Sequence, residues 1–145
     1  MAQLPHSYVV SAQAEAESNV TLASDGLDSI LSAPPAAFGG PGDLWSPETL
    51  LVAAVADCLI LSFRAIARAS AYPWSDLQCS VDGTLDKVDG TLRFSAFTVN
   101  ARLTISANAD GAKGEKLVHK AEQSCLITNS LLGKSHLTVE IIRSS

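Results

Sequence analysis

Between Leu50 and Leu61 a single polar residue, Asp57, interrupts an otherwise apolar run. A helix start precedes it: Ser46 suits an N-cap, Pro47 the first helical position, and Glu48 the positive end of the first turn. The pattern predicts one long helix to about Ser70, ending before Tyr72-Pro73. From Leu50 to Leu61 it is apolar on every face, so it should be buried all round instead of lying amphipathically on a surface. In a chain of 145 residues, covering such a helix calls for a sheet and a second subunit.

Composition supports that reading. Charged residues make up 17% of the chain and hydrophobic ones 47%, against the ~25% charge of ordinary soluble domains. Part of the surface should therefore be hidden in a homodimer. The net charge is −5 and no cluster of Lys or Arg stands out, which argues against a nucleic-acid partner and an anionic membrane. The apolar run falls short of the ~20 residues of a membrane span. Met1-Ala2-Gln3-Leu4-Pro5 shows neither the basic nor the apolar part of a signal peptide. The expectation is a cytoplasmic protein with a single domain over residues 1–145.

The remaining elements follow from periodicity. Tyr8, Val10, Ala12 and Ala14 alternate with polar positions, as do Val20 and Leu22. Ser24-Asp25-Gly26 reads as a turn and Leu27 to Leu31 as a third short strand. Pro34 to Gly42, with three Pro and three Gly, reads as a loop. Beyond the long helix, Leu77, Cys79, Val81 and Leu85 mark a strand, Asp89-Gly90 a hairpin turn, and Leu92 to Ile105 the return strand. Its phase slips between Ala96 and Phe97, where a β-bulge is expected. A second helix over about Ala112 to Ser124 puts Leu117, Ala121 and Cys125 on one face. A further turn or two follows to Leu132, with Gly133 past its end. A last strand runs from His136 to Ile142, with Leu137, Val139 and Ile141 inward. Strands, long helix, hairpin, helix and strand make an α+β layout.

Three cysteines in a reducing compartment are core residues, metal ligands or redox groups. Cys79, in phase with the apolar face of its strand, reads as an inert core thiol. Cys58 lies mid-helix, with Ala54, Val55, Leu61 and Ser62 on its face. Cys125 reads as standing at a junction of two helical segments; if it starts the second, backbone amides and the helix dipole favour its thiolate. His6, His119 and His136 show no ligand spacing with the cysteines, and no C-x-x-C occurs, so no metal is expected. Gly39-Gly40-Pro41-Gly42 lacks the Lys-Ser/Thr of a phosphate loop. No cofactor is implied.

Gly40-x-Gly42, then Ser46-Pro47-Glu48-Thr49-Leu50-Leu51 and Ala53-Ala54-Val55-Ala56-Asp57-Cys58, resemble the loop and central helix of the OsmC/Ohr family, in a divergent OsmC-like branch. Ala121-Glu122-Gln123-Ser124-Cys125 with Asn129-Ser130-Leu131 resembles that family's second cysteine region. The resemblance implies an intertwined α+β homodimer, with antiparallel sheets packed around the long buried helix. It implies a thiol-dependent peroxidase acting on organic hydroperoxides, with Cys58 as the peroxidatic and Cys125 as the resolving cysteine, and an external thiol as reductant. It matches Glu48 to a glutamate that helps hold an activating arginine. The sequence departs from the family pattern in having no Arg before Arg64, Leu126 where the family has Pro after the second cysteine, and Asp57 beside Cys58, whose charge should raise the thiol pKa. Glu48 and Cys58, ten residues apart, are separated by ~15 Å along one helix, so Glu48 is expected to act across a two-fold axis. The alternative is a non-catalytic dimer that holds a small apolar ligand in an inter-subunit pocket.

Overall fold

The computed structural model describes residues 3–144. They form two compact units that divide between Leu51 and Val52.

The first unit holds a three-stranded antiparallel sheet in the order β1 (Ser11–Gln13), β2 (Val20–Ala23), β3 (Ile30–Ser32). The first strand is shorter than its alternation implies. Ser11 pairs with Ala23, where β2 ends, so among the described residues Tyr8, Val9 and Val10 have no strand opposite, and they stand exposed. The third strand starts late because the Leu27 amide donates to Ser24 O at 3.1 Å and so belongs to the turn. The Pro/Gly loop carries a 3-10 turn at Ala36–Phe38. Gly40 is required there, since a Cβ would overlap the Pro34 carbonyl.

Helix α1 (Pro47–Ala69) begins where the capping residues place it. Ser46 Oγ accepts from the Thr49 amide at 3.1 Å, and the Ser46 amide donates to Thr49 Oγ1 at 2.9 Å, a reciprocal cap. By length and apolarity, with a mean hydropathy of 2.1, α1 could cross a membrane; here it is a core helix. Its buried residues, Val55, Leu59, Phe63 and Ala67, form an i, i+4 stripe. Within one chain the all-round burial read from its composition is not met, because the core covers this one stripe. Leu61 stays 49% exposed, while Val52 and Ile60 are half-buried.

The second unit contains the sheet β4 (Asp76–Val88), β5 (Thr91–Ser106), β6 (Lys134–Ser144), with β5 in the middle. The hairpin turns at Asp89 and Gly90, both at positive φ (51° and 79°), as a two-residue turn of this type needs. The bulge lies one residue before the expected place: Thr84 pairs with Ala96 but Leu85 with Phe94, leaving Ser95 unpaired. Phe94 and Phe97 consequently fall on one side and stack at 5.6 Å. β6 runs parallel to β5, so this sheet is mixed where antiparallel sheets were expected. A parallel partner needs a crossover, and α2 (Gly111–Gln123) with the short α3 (Leu126–Asn129) supplies it. Phe97, Val99, Ala101, Leu103 and Ile105 of β5 join the α1 stripe and Leu117, Val118 and Ala121 of α2 in one core.

The Asp110 side chain accepts from the Lys113 amide at 3.0 Å and caps α2. Asp110→Ala should lower the unfolding free energy by ~1 kcal/mol, and Asp110→Asn should retain most of it. Urea unfolding midpoints compare the three chains, and identical midpoints would show that the cap contributes nothing.

Candidate functional site

Cys58 sits in the middle of α1, one residue before the buried Leu59. Cys125 follows α2 and is the N-cap residue of α3. Leu117 and Ala121 of α2 are buried as read, and Cys125, which lies past the end of that helix, is buried with them, to 1% exposure. All three cysteines are free thiols. The fold brings Cys58 and Cys125 together from positions 67 residues apart, close enough for the Cys125 thiol to act on the Cys58 sulfur.

The first amides of a helix lack carbonyl partners in their own helix. In α3 those of Leu126 and Ile127 lie within electrostatic reach of Cys58, and that of Thr128 within reach of Cys125. Burial works to raise the Cys58 thiol. The Ile127 amide, the Cys125 thiol, the Ser62 hydroxyl and the Leu126 amide together outweigh it and hold the thiol below its ordinary value. Ser62 Oγ lies 3.8 Å from Cys58 Sγ, one helical turn on. Asp57 does not have the raising effect its position implied: it is exposed, and its charge is screened by water.

Cys125 goes the other way, against the expectation that its place at the helix junction favours a thiolate. Burial raises it, the hydroxyl and amide of Thr128 lower it in part, and Cys58 raises it again. The Thr128 hydroxyl also donates to Cys125 O at 3.1 Å, holding the junction. Cys79 packs against the core from β4. It is pushed up to about 11, by burial and then by the nearby charge of Cys125. It is thus an inert thiol near Cys125, a proximity its strand phase did not reveal.

Beside Cys125 opens a crevice of about 10 Å³, room for roughly one water. Val55, Leu59 and Val99 form its apolar walls, and Glu122, Thr128 and Ser135 its polar ones. Ser135 Oγ donates to Glu122 Oε2 at 2.9 Å. Neither residue was assigned a role from the sequence. Glu122 could have been found, because the helix read over about Ala112 to Ser124 ends beside Cys125 and Glu122 is the acidic residue of its last turn; Ser135 carries no local signal.

Glu48 does not join the pair. It stands in the first turn of α1, ~15 Å along a straight axis from Cys58. Its Oε1 is buried with no hydrogen-bond partner among the described residues. No group of three His, Cys, Asp or Glu able to hold a metal occurs among the described residues.

The sequence model of the OsmC-like protein family matches residues 40–141, from the glycine loop to the last strand. The chain belongs to the OsmC-like family. It is similar to YmaD of Bacillus subtilis (strain 168), itself named an uncharacterized protein, with 28% identity over 109 residues, 73% of each chain. In structure it resembles an OsmC-like protein of unknown function from Vibrio cholerae O1 biovar eltor, with 22% identity, a TM-score of 0.80, and coverage of 97% of this chain and 100% of the other. It also resembles an organic hydroperoxide resistance protein OsmC from Legionella pneumophila, with 21% identity, a TM-score of 0.74, and coverage of 97% and 99%. An organic hydroperoxide resistance protein from Elizabethkingia anophelis gives 16% identity and a TM-score of 0.77, with coverage of 99% and 100%.

The thiols of this OsmC-like chain should alkylate in a fixed order. With limiting iodoacetamide near neutral pH, Cys58 should react first, because it has the larger thiolate fraction. Cys79, at about 11, should resist until the solution is strongly alkaline. Peptide mass spectrometry reads the order, and labelling of Cys79 as fast as Cys58 would contradict it.

Proposed function

We propose that this OsmC-like protein is a cytoplasmic, two-cysteine thiol peroxidase that reduces organic hydroperoxides. The observation that carries the reading is the meeting of Cys58 and Cys125 in one site, the first thiol favoured toward thiolate and the second kept protonated. The Cys58 thiolate attacks the terminal oxygen of the hydroperoxide. The O–O bond breaks, the terminal oxygen stays with its hydrogen on Cys58 as a sulfenic acid, and the alkoxide takes up the proton that the Cys58 thiol gave up on ionising and leaves as the alcohol. The Cys125 thiol condenses with it, expelling water and forming a disulfide that protects Cys58 from further oxidation. Two equivalents of an external thiol return both to the reduced state by exchange and leave as their own disulfide. The names of the Legionella and Elizabethkingia proteins support the choice of substrate class.

The working form is a homodimer of single-domain chains. The outward apolar face of α1 and the exposed Tyr8, Val9 and Val10 are surfaces for a second copy to cover. Glu48 belongs to this picture. A buried carboxylate oxygen without a donor costs about 1–3 kcal/mol or more, and a donor from the partner subunit removes that cost. Glu48 then serves the partner's site across the two-fold axis, each chain contributing to two equivalent sites.

The rival reading is a dimer that binds an apolar small molecule, with the cysteines as mere lining. A lining cysteine resembles Cys79, raised and inert, and Cys58 does not. One equivalent of cumene hydroperoxide should remove two free thiols per chain and join Cys58 to Cys125. Cys58→Ser should abolish the loss, Cys125→Ser should leave a sulfenic acid trappable by dimedone, and Cys79→Ala should leave turnover largely intact. An unchanged thiol count in the unmutated chain would favour the binding module. For the shared site, subunit exchange between Glu48→Ala and Cys58→Ser chains should restore activity in mixed dimers, each with one intact site. No recovery despite proven exchange would count against the sharing.

A further inference from the structure

We propose that Glu122 accepts the proton of the Cys125 thiol as Cys125 attacks the oxidised sulfur of Cys58, with Ser135 holding the Glu122 carboxylate for that task. The proposal rests on the two-cysteine reading and adds the proton path that it lacks.

The resolving step requires a nucleophilic sulfur, and thiolate is the nucleophile. Cys125 is 1% exposed, so bulk hydroxide has poor access to it, and burial raises its thiol. A base within the protein is therefore needed. Cys58 from α1 and Cys79 from β4 interact electrostatically with Cys125, and Glu122 from α2 lines the same crevice as Cys125. Cys58 is the electrophile in this step, and Cys79 is itself a protonated thiol. β5 contributes Val99 and β6 contributes Ser135, neither ionisable. Among the described residues lining the crevice, Glu122 is the one carboxylate. The Ser135 hydroxyl donates to one of its oxygens at 2.9 Å, which leaves the other to accept a proton.

The step balances. The S–H bond of Cys125 breaks and its proton passes to Glu122. The Cys125 sulfur bonds to the Cys58 sulfur as the S–O bond of the sulfenic acid breaks. The departing oxygen takes the proton back from Glu122 and leaves as water, so the carboxylate is regenerated without a further reactant.

The same proton transfer can be watched without peroxide. In Cys79→Ala chains, Ellman's reagent places a thionitrobenzoate on Cys58, and attack by Cys125 releases it as a coloured thiolate. With Glu122 present, release should vary little with pH near neutrality, since the attacking thiol loses its proton to a base held beside it and not to solvent. Glu122→Gln keeps an acceptor for Ser135 but cannot take a proton. Its release should be slower by roughly 10²-fold near neutrality and should rise about tenfold per pH unit with the thiolate fraction. Ser135→Ala should slow release but keep the flat profile. Release in Glu122→Gln at an unchanged rate and profile would overturn the proposal. So would faster release, because a carboxylate acting only by its charge raises the thiol pKa and its removal would accelerate the reaction. Absence of release from the unmutated Glu122 chain would overturn it as well. Because no hydroperoxide enters this assay, failure of the peroxidase reading would appear in the cumene hydroperoxide experiment and not here.

Discussion

Everything in the second unit is arranged about the inner face of β5. Phe97, Val99, Ala101, Leu103 and Ile105 are each at most 2% exposed, and every second residue of the strand is thereby committed to the core. One stripe of α1 and one face of α2 pack into the same cluster. Close packing leaves few alternative positions for these helices. Cys58 flanks the α1 stripe and Cys125 ends the α2 face, so burying apolar surface on β5 also determines where the sulfurs meet. The crossover that a parallel β6 demands brings the second cysteine back over the first.

The three thiols show how the same group takes on different chemistry from its surroundings. All lose water on burial, which favours the neutral form. Cys79 on its strand has no compensating donor among the described residues and is pushed up to about 11. Cys58 has two α3 amides, a thiol and a hydroxyl to favour its thiolate. Cys125 has the amide and hydroxyl of Thr128, which do not overcome its burial and the neighbouring Cys58. A thiolate-prone sulfur beside a protonated one is the polarity that attack followed by condensation requires.

Much of this was legible in the sequence, for identifiable reasons. Ser46-Pro47-Glu48 gave the start of α1 because capping is local chemistry, and Asp89-Gly90 gave the hairpin because few residues tolerate two successive positive φ values. The bulge was visible as a phase slip and was misplaced by one residue, since Ser95 and Ala96 are both small and either fits the unpaired position. The parallel run of β6 was not legible: alternation shows which face of a strand is inward, and says nothing of its direction. The pairing of Cys58 with Cys125 entered through family resemblance, since nothing local links residues 67 apart. Glu122 and Ser135 escaped because their contact is made between a helix and a strand.

The absence of any arginine before Arg64 changes what sort of activation Cys58 can receive within its own chain. An arginine would offer a full charge on a long side chain, which must be ordered and held. The α3 amides offer partial charges that the backbone has already fixed in place, so no reorganisation is needed when the thiolate forms or reacts. Their effect is smaller than that of a full charge at equal distance, yet partly buried dipoles are less screened by salt than an exposed ion pair. Leu126, where the family pattern has Pro, adds to this supply, because proline carries no amide hydrogen and Leu126 provides one of the two amides that reach Cys58. The two departures from the pattern therefore bear on the same sulfur in opposite senses: one removes a charge, the other adds a donor.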